Sequence, residues 1–512
     1  MGLLEDLNPE ILHDLSPYED ITVISFCSTP IHIATSLEII QNNLQKRWQY
    51  VYWGNRTYFR NGMNLEYRRF RSQFPKEIEN YFVSRNLSVK CTTDFSFDSA
   101  SVLAQFKEIN ALVEKCNNVE DLREIDEILP SVGAALANAY VQVIRDKYSN
   151  ISWNKILLKR LLYSYLETYH ATLKLISSKA IDLVLIYNGR YLHERAVRDA
   201  CLMNKIRVVM HETTRDKYFL RLEGFHDRVA NQKLWSDFWN ESTLSVHDRI
   251  SIANEYFEGL QSKVSPFFTG TKLNDLSAES NKYVVFFTSN DDETIGFWDI
   301  WKEKLGNQFE VIDKLRELFA EQQELSLIIR VHPNTNNKPW QVRRKWSKEK
   351  ASSNVTVIPA SSKESSIELV KNSVGVMTFG STIGLESIFL GKKVAVLCDS
   401  SYDNLDSVSK CDDWKSVKMW LQSLRSYESV TEEARVQACK RAYFVSRAGI
   451  PFQHFEVLLT RWNSWNPSRN SDSPLFARSK FTLFWKIWQK IVISIFRWWH
   501  VANLYGQNKA KV

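Results

Sequence analysis

The sequence lacks any C-x-x-C pair. Its seven cysteines, Cys27, Cys91, Cys116, Cys201, Cys398, Cys411 and Cys439, are odd in number and scattered. That excludes a disulfide framework and a cysteine zinc site, and fits a reducing compartment. Also missing are G-x-G-x-x-G, the Walker A loop, H-E-x-x-H and G-x-S-x-G. The usual grounds for nicotinamide chemistry, P-loop ATP hydrolysis, zinc proteolysis and α/β-hydrolase catalysis go with them. No self-similarity recurs at a solenoid period. The opening MGLLEDLNPE is acidic and broken by proline, so it does not read as a signal peptide, and Gly2 lacks the Ser/Thr context of a myristoylation signal.

Acidic residues are absent from one long stretch. Leu475–Val512 holds seven of the 66 Lys/Arg and no Asp or Glu, so the 59 cations elsewhere balance the 59 anions of the chain. A neutral body with a basic tail is not the pattern of a nucleic-acid binder. Within the tail, FTLFWKIWQKIVISIFRWW (Phe481–Trp499) puts Thr482, Lys486, Gln489, Lys490, Ser494 and Arg497 on one helical stripe, with four tryptophans among the bulky remainder. Three cations argue against a span. The pattern predicts a basic amphipathic helix over 475–505 that lies in a membrane interface, with packing on the protein's own core as the alternative.

At 512 residues the body has room for two domains. ITVISF (Ile21–Phe26), a turn, a helical run and YVYWG (Tyr50–Gly54) form a first βαβ pattern. Residues 99–178 then read as long helices. IDLVLIY (Ile181–Tyr187) ends at Asn188-Gly189-Arg190, and IRVVM (Ile206–Met210) ends at His211-Glu212. A polar stretch over 259–282 reads as a linker. A second α/β block begins at YVVFFTSN (Tyr283), continues through LSLIIRV and VTVIP, and ends in TFGSTIGLESIFLGKKVAVL (Thr378–Leu397). WNSWNPSRNSDSP, from Trp462, reads as a second linker. The expected domains are 1–260, with a helical insertion, and 283–461.

Function concentrates where apolar strands end in polar groups. Gly380-Ser381-Thr382 stands between a strand and a helix. Unpaired N–H groups and the dipole at a helix start favour phosphate, Gly380 allows close approach, and Ser381 and Thr382 add hydroxyls. Glu386 follows one turn later, where a carboxylate can accept from a sugar diol. The alternative is an ordinary N-cap with Glu386 facing solvent. Arg330-Val331-His332-Pro333-Asn334 ends the strand before it. Arg330 is a candidate phosphate clamp, and His332 a donor or proton shuttle. The alternative is a capped strand end with a core histidine. Thr288-Ser289-Asn290 precedes three acids, Asp291–Glu293, that read as a helix cap, with Ser289 or Asn290 lining the site. In the N-terminal block, Thr29 and His32 follow the first strand, and Asn188 and Arg190 follow the later one. Arg190 is a candidate for holding an anionic acceptor, or else pairs with Glu194. Glu212, with His211, is a candidate general base if burial raises its pKa, against mere loop polarity.

RVHPN followed by TFGSTIGLES and GKKV resembles the C-terminal domain of bacterial capsule and surface polysaccharide biosynthesis glycosyltransferases, relatives of the capsular Kdo transferases. TSNDDE and NGR…HET are similar to family patterns as well. The resemblance spans roughly Ile21–Leu459. It implies a GT-B-like α/β fold of two Rossmann-like domains facing a cleft, here with a helical insertion and the C-terminal amphipathic helix. It also implies a nucleotide sugar held by the C-terminal domain through His332, Ser381, Thr382 and Glu386, and a glycan or lipid-linked acceptor in the N-terminal domain. No metal or other cofactor is expected. Such an enzyme is expected in the cytoplasm, peripheral on the inner face of the plasma membrane. UDP-N-acetylglucosamine 2-epimerases and CDP-glycerol glycerophosphotransferases share parts of the pattern, and a non-catalytic membrane scaffold is a further alternative.

Overall fold

The computed structural model describes residues 15–26, 30–53, 76, 78–213, 217–222, 227–262, 282–290, 294–298, 300–322, 324–349, 351–352, 354–426, 430–458 and 464–466. Asp291–Glu293, most of the 259–282 linker and the basic tail lie outside them. The chain divides into two compact units, residues 227–448 and residues 12–226 joined by the chain from 449 onward.

The C-terminal unit (227–448) is built on six parallel strands: β7 (Lys282–Phe287), β8 (Leu325–Arg330), β9 (Val355–Ile358), β10 (Gly375–Thr378), β11 (Val394–Val396) and β12 (Val408–Lys410). All but the edge strand β12, which reads Val-Ser-Lys, are largely apolar runs, which suit a sheet covered on both faces. Phe286, Ile329 and Met377 are fully buried, each worth roughly 1.5–3 kcal/mol of transfer free energy. The order β12-β11-β10-β7-β8-β9 reverses between β7 and β10. It is the doubly wound arrangement, in which strand order turns at the first strand. The helix Gln308–Ala320 begins with a capping box between Asn307 and Glu310. The helices Ile383–Phe389 and Glu432–Arg447 cover one face, where Leu385, Ile388, Tyr402 and Ala438 pack on Val376 and Val394.

The N-terminal unit has β1 (Asp20–Ser25), β2 (Arg47–Tyr52), β3 (Val89–Thr92), β4 (Leu183–Tyr187), β5 (Arg207–Thr213) and β6 (Lys217–Arg221), with β13 (Ile450–Pro451). The order β13-β6-β5-β4-β1-β2-β3 again reverses at the first strand, between β1 and β4. The helices Ser99–Lys115, Val132–Ile144 and Lys155–Ser177 occupy the crossover from β3 to β4. Two departures from the sequence reading matter. His211 and Glu212 are strand residues, because β5 runs on to pair antiparallel with β6. Residues 464–466, expected in a linker, form β15, which pairs with β14 (Glu456–Leu458).

Candidate active site

In the C-terminal unit the ends of β7, β8 and β10 lie side by side, because β7 pairs with both of the others. This is the switch point of a doubly wound sheet, where ligands bind outside the carboxyl ends of strands. The buried Thr288 stitches two of these ends together. Its N–H donates to Arg330 O at 3.2 Å, and its Oγ1 accepts from the His332 N–H at 2.9 Å. Ser289 is gripped by Gln308, whose Oε1 accepts the Ser289 N–H at 2.7 Å and whose Nε2 donates to its carbonyl at 3.3 Å. Gln308 is fully buried. It carries no motif, and nothing in the sequence distinguishes it from a polar residue in a first helical turn.

Arg330 requires a correction. It is 1 % exposed, and its Nη1 and Nη2 donate to the carbonyls of Pro359 at 2.5 Å and Ser362 at 3.2 Å. These two nitrogens tie down the loop after β9 and so do not face a phosphate. The two-residue alternation that paired it with His332 on one face was the wrong geometry, because the strand ends at Arg330. His332 is half-buried and its Nδ1 accepts the Asn334 N–H at 3.2 Å. The neutral ring therefore carries its proton on Nε2, as a donor. Asn334 is exposed.

At the end of β10, Gly380 adopts φ +77, and a Cβ there would meet Cys398 Sγ at 3.0 Å and Asp399 O at 3.2 Å. Only glycine suits both the conformation and the space. The Tyr402 hydroxyl, fully buried, donates to Ser381 O and shares a 2.9 Å hydrogen bond with Thr378 Oγ1. Gly384 leaves room for that ring, since a Cβ would collide with it. Thr382 occupies the cap position of the helix Ile383–Phe389, yet its side chain makes no capping bond. Among the described residues the Ser381 and Thr382 hydroxyls have no hydrogen-bond partner. The half-buried Glu386 is pushed up to about 7 by burial, and Arg441 draws it part of the way back.

In the N-terminal unit the switch point is the gap between β1 and β4. Thr29 lies outside the described residues. The His32 ring lies 3.6 Å from the Tyr187 ring, centroid to centroid, and burial pushes its pKa down to about 4. Asn188 and Gly189 both have positive φ, 50 and 75. This left-handed turn brings the Asn188 amide onto Glu212, which also accepts from the Tyr187 hydroxyl at 3.2 Å. Burial raises the Glu212 pKa, while Asn188 and Arg190 oppose the shift. Arg190 donates to Tyr191 Oη at 3.0 Å and stacks over that ring rather than pairing with Glu194. His211, read as a catalytic partner, is 2 % exposed, and its Nε2 is 3.2 Å from Ser36 Oγ in the helix Pro30–Gln41. Burial, with His32 adding to it, pushes its pKa down to about 3. It packs the helix onto the sheet, and Glu212 is left as the titratable group at this strand end.

Residues 242–443 match the family model described as capsule polysaccharide biosynthesis protein. The matched span lies within the C-terminal unit. It contains every candidate residue from Ser289 to Glu386. No curated protein matches the chain. Among solved structures, similar ones include the beta Kdo 2,4 transferase KpsC of Thermosulfurimonas dismutans, at 11% identity and TM-score 0.34, covering 51% of this chain and 79% of that one. The UDP-GlcNAc 2-epimerase of Methanocaldococcus jannaschii, in complex with UDP-GlcNAc and UDP, follows at 12% and 0.30, covering 83% and 98%. That of Neisseria meningitidis, bound to UDP-GlcNAc, has 13% and 0.30, covering 83% and 97%. At these scores they assign no residue a role.

Proposed function

We propose that the protein is a glycosyltransferase of GT-B type. It moves a sugar from a nucleotide-activated donor to a glycan or lipid-linked acceptor in the making of capsule or surface polysaccharide. The observation that carries this reading is the switch point of the C-terminal unit. There His332, Ser381, Thr382 and Glu386 gather one imidazole donor, two uncommitted hydroxyls, the N–H groups of a helix start and a carboxylate at the ends of β8 and β10, the two strands that flank β7. The first four features suit phosphate, and the carboxylate suits a ribose diol. In the N-terminal unit, Glu212 is the candidate base for the acceptor hydroxyl, with His32, Asn188 and Arg190 beside it.

Incubating the full chain with a panel of nucleotide sugars should raise its Tm for the true donor, because a ligand of the folded state stabilises by mass action. Turnover should then require an acceptor. Conversion of the donor alone would favour an epimerase. A leaving phosphate can be met by backbone N–H groups and basic side chains, so activity should survive EDTA. Loss that magnesium restores would refute that part. Among the described residues no helix is long and apolar enough to cross a membrane. The basic, tryptophan-rich tail supports attachment to the surface of the inner leaflet instead.

A further inference from the structure

The helix Glu432–Arg447 packs against the helix Ile383–Phe389, which starts at the candidate site. Ala438 packs among Leu385, Ile388 and Tyr402. Arg441 follows three residues later, on the same helical face. The residue is half-buried, and its guanidinium lies over the Trp235 ring at 5.6 Å to the centroid. Its charge acts on two groups of the site at once, the Glu386 carboxyl and the Tyr402 phenol. Neither Arg441 nor Glu386 has a side-chain hydrogen-bond partner among the described residues. Arg441 is half-buried and offers five N–H donors that no described residue accepts, on a helix packed against the one that carries Glu386. A cation of this kind is met by an anion that brings its own acceptors, and a fixed planar fork suits phosphate.

We propose that Arg441 is a ligand-binding residue that takes a phosphate group of the donor nucleotide, while Glu386 takes its ribose hydroxyls. The assignment rests on the nucleotide reading above. Trp235 supports the guanidinium by cation–π contact. The alternative role, a charge partner that only tunes Glu386, makes a different prediction about which part of the ligand matters.

The test compares uridine, UMP and UDP, and cytidine, CMP and CDP, by calorimetry on the full chain and on Arg441→Ala and Arg441→Lys. For whichever base binds, the wild-type chain should prefer the phosphorylated forms over the nucleoside. Arg441→Ala should erase most of that preference, weakening the nucleotide tenfold or more while leaving nucleoside affinity within twofold. Arg441→Lys should recover part of it. Thermal unfolding of each variant separates loss of fold from loss of ligand, and the lysine variant, which keeps charge and stem, guards against a collapsed alanine protein. If wild type binds a nucleotide and Arg441→Ala weakens nucleoside and nucleotide alike, or neither, the phosphate role fails while the nucleotide reading stands. If wild type binds none of the six, that reading fails and the assignment of Arg441 falls with it.

Discussion

Tyr402 and Glu386 show how single side chains set the character of the candidate site. The Tyr402 hydroxyl fixes the Ser381 carbonyl and the Thr378 side chain from a fully buried position. Tyr402→Phe keeps the ring and strands both partners, so it should cost about 1–3 kcal/mol in urea unfolding. Gly384→Ala intrudes on the same ring and should cost about 1–3 kcal/mol by overpacking. A loss near zero for both would show that the turn does not depend on this tyrosine. Glu386 is held protonated more readily in the folded protein than in the unfolded chain, with its pKa raised from 4.5 to about 7. Below the unfolded value both states carry the proton and nothing is lost. As pH rises from there through about 7, the unfolded chain releases its proton first, so stability falls and then levels off. Glu386→Gln removes that term. Its gain in stability over wild type should be absent at acid pH and grow as the pH rises to about 7, while nucleotide affinity drops. Unfolding curves across pH check the first half, and a gain that does not vary with pH would rule out the titration. Of these residues Ser381, Thr382 and Glu386 were legible in the sequence, because a polar triplet between two apolar runs marks a strand end. Tyr402 and Arg441 were not, since each acts from an element whose neighbours are set only by packing.

At the scale of elements, apolar continuity made β7, β8 and β10 readable, and the turn residues after them gave their direction. The side on which a terminal residue points was not readable, and Arg330 shows why. A strand-end arginine looks the same whether it faces a ligand or, as here, carbonyls of the next loop. Glu212 was misplaced in a loop because the partner that extends β5, the strand β6, is a short run whose pairing cannot be inferred from its own residues. The return of the chain through β13, β14 and β15 was invisible, since two- and three-residue strands carry no periodicity. Their anchor is Glu38, 415 residues before Gln453. Glu38 is fully buried and accepts the N–H groups of Gln453 at 2.6 Å and His454 at 3.0 Å. Glu38→Ala should leave those donors unmet at a cost of about 1–3 kcal/mol. Hydrogen exchange should quicken at Gln453 and His454 ahead of the rest of the N-terminal sheet. Unchanged protection at those two amides would mean that β13 and the buried Phe455 hold the segment without the carboxylate.

For the whole molecule, the returning segment decides what a truncation does. Phe455 is buried and stacks on Tyr81 at 5.4 Å, and β13 extends the seven-stranded sheet through β6. A chain ending at Ala448 therefore loses part of the N-terminal core, although the span that matches the capsule polysaccharide biosynthesis model is complete by then. A chain ending at Pro474 keeps every described element and loses only the acid-free tail with its seven cations. Because the remaining charges balance, the tail should supply nearly all attraction to an anionic bilayer, at about 1 kcal/mol per basic residue near the surface. The chain ending at Pro474 should unfold at the wild-type Tm and fail to sediment with vesicles containing phosphatidylglycerol. The full chain should sediment with them and come off partly as salt is raised, since screening removes charge attraction but not the burial of tryptophan. Equal sedimentation of the two chains would place the membrane contact in the body, and a lowered Tm in the shorter chain would mean that the tail packs on the protein itself.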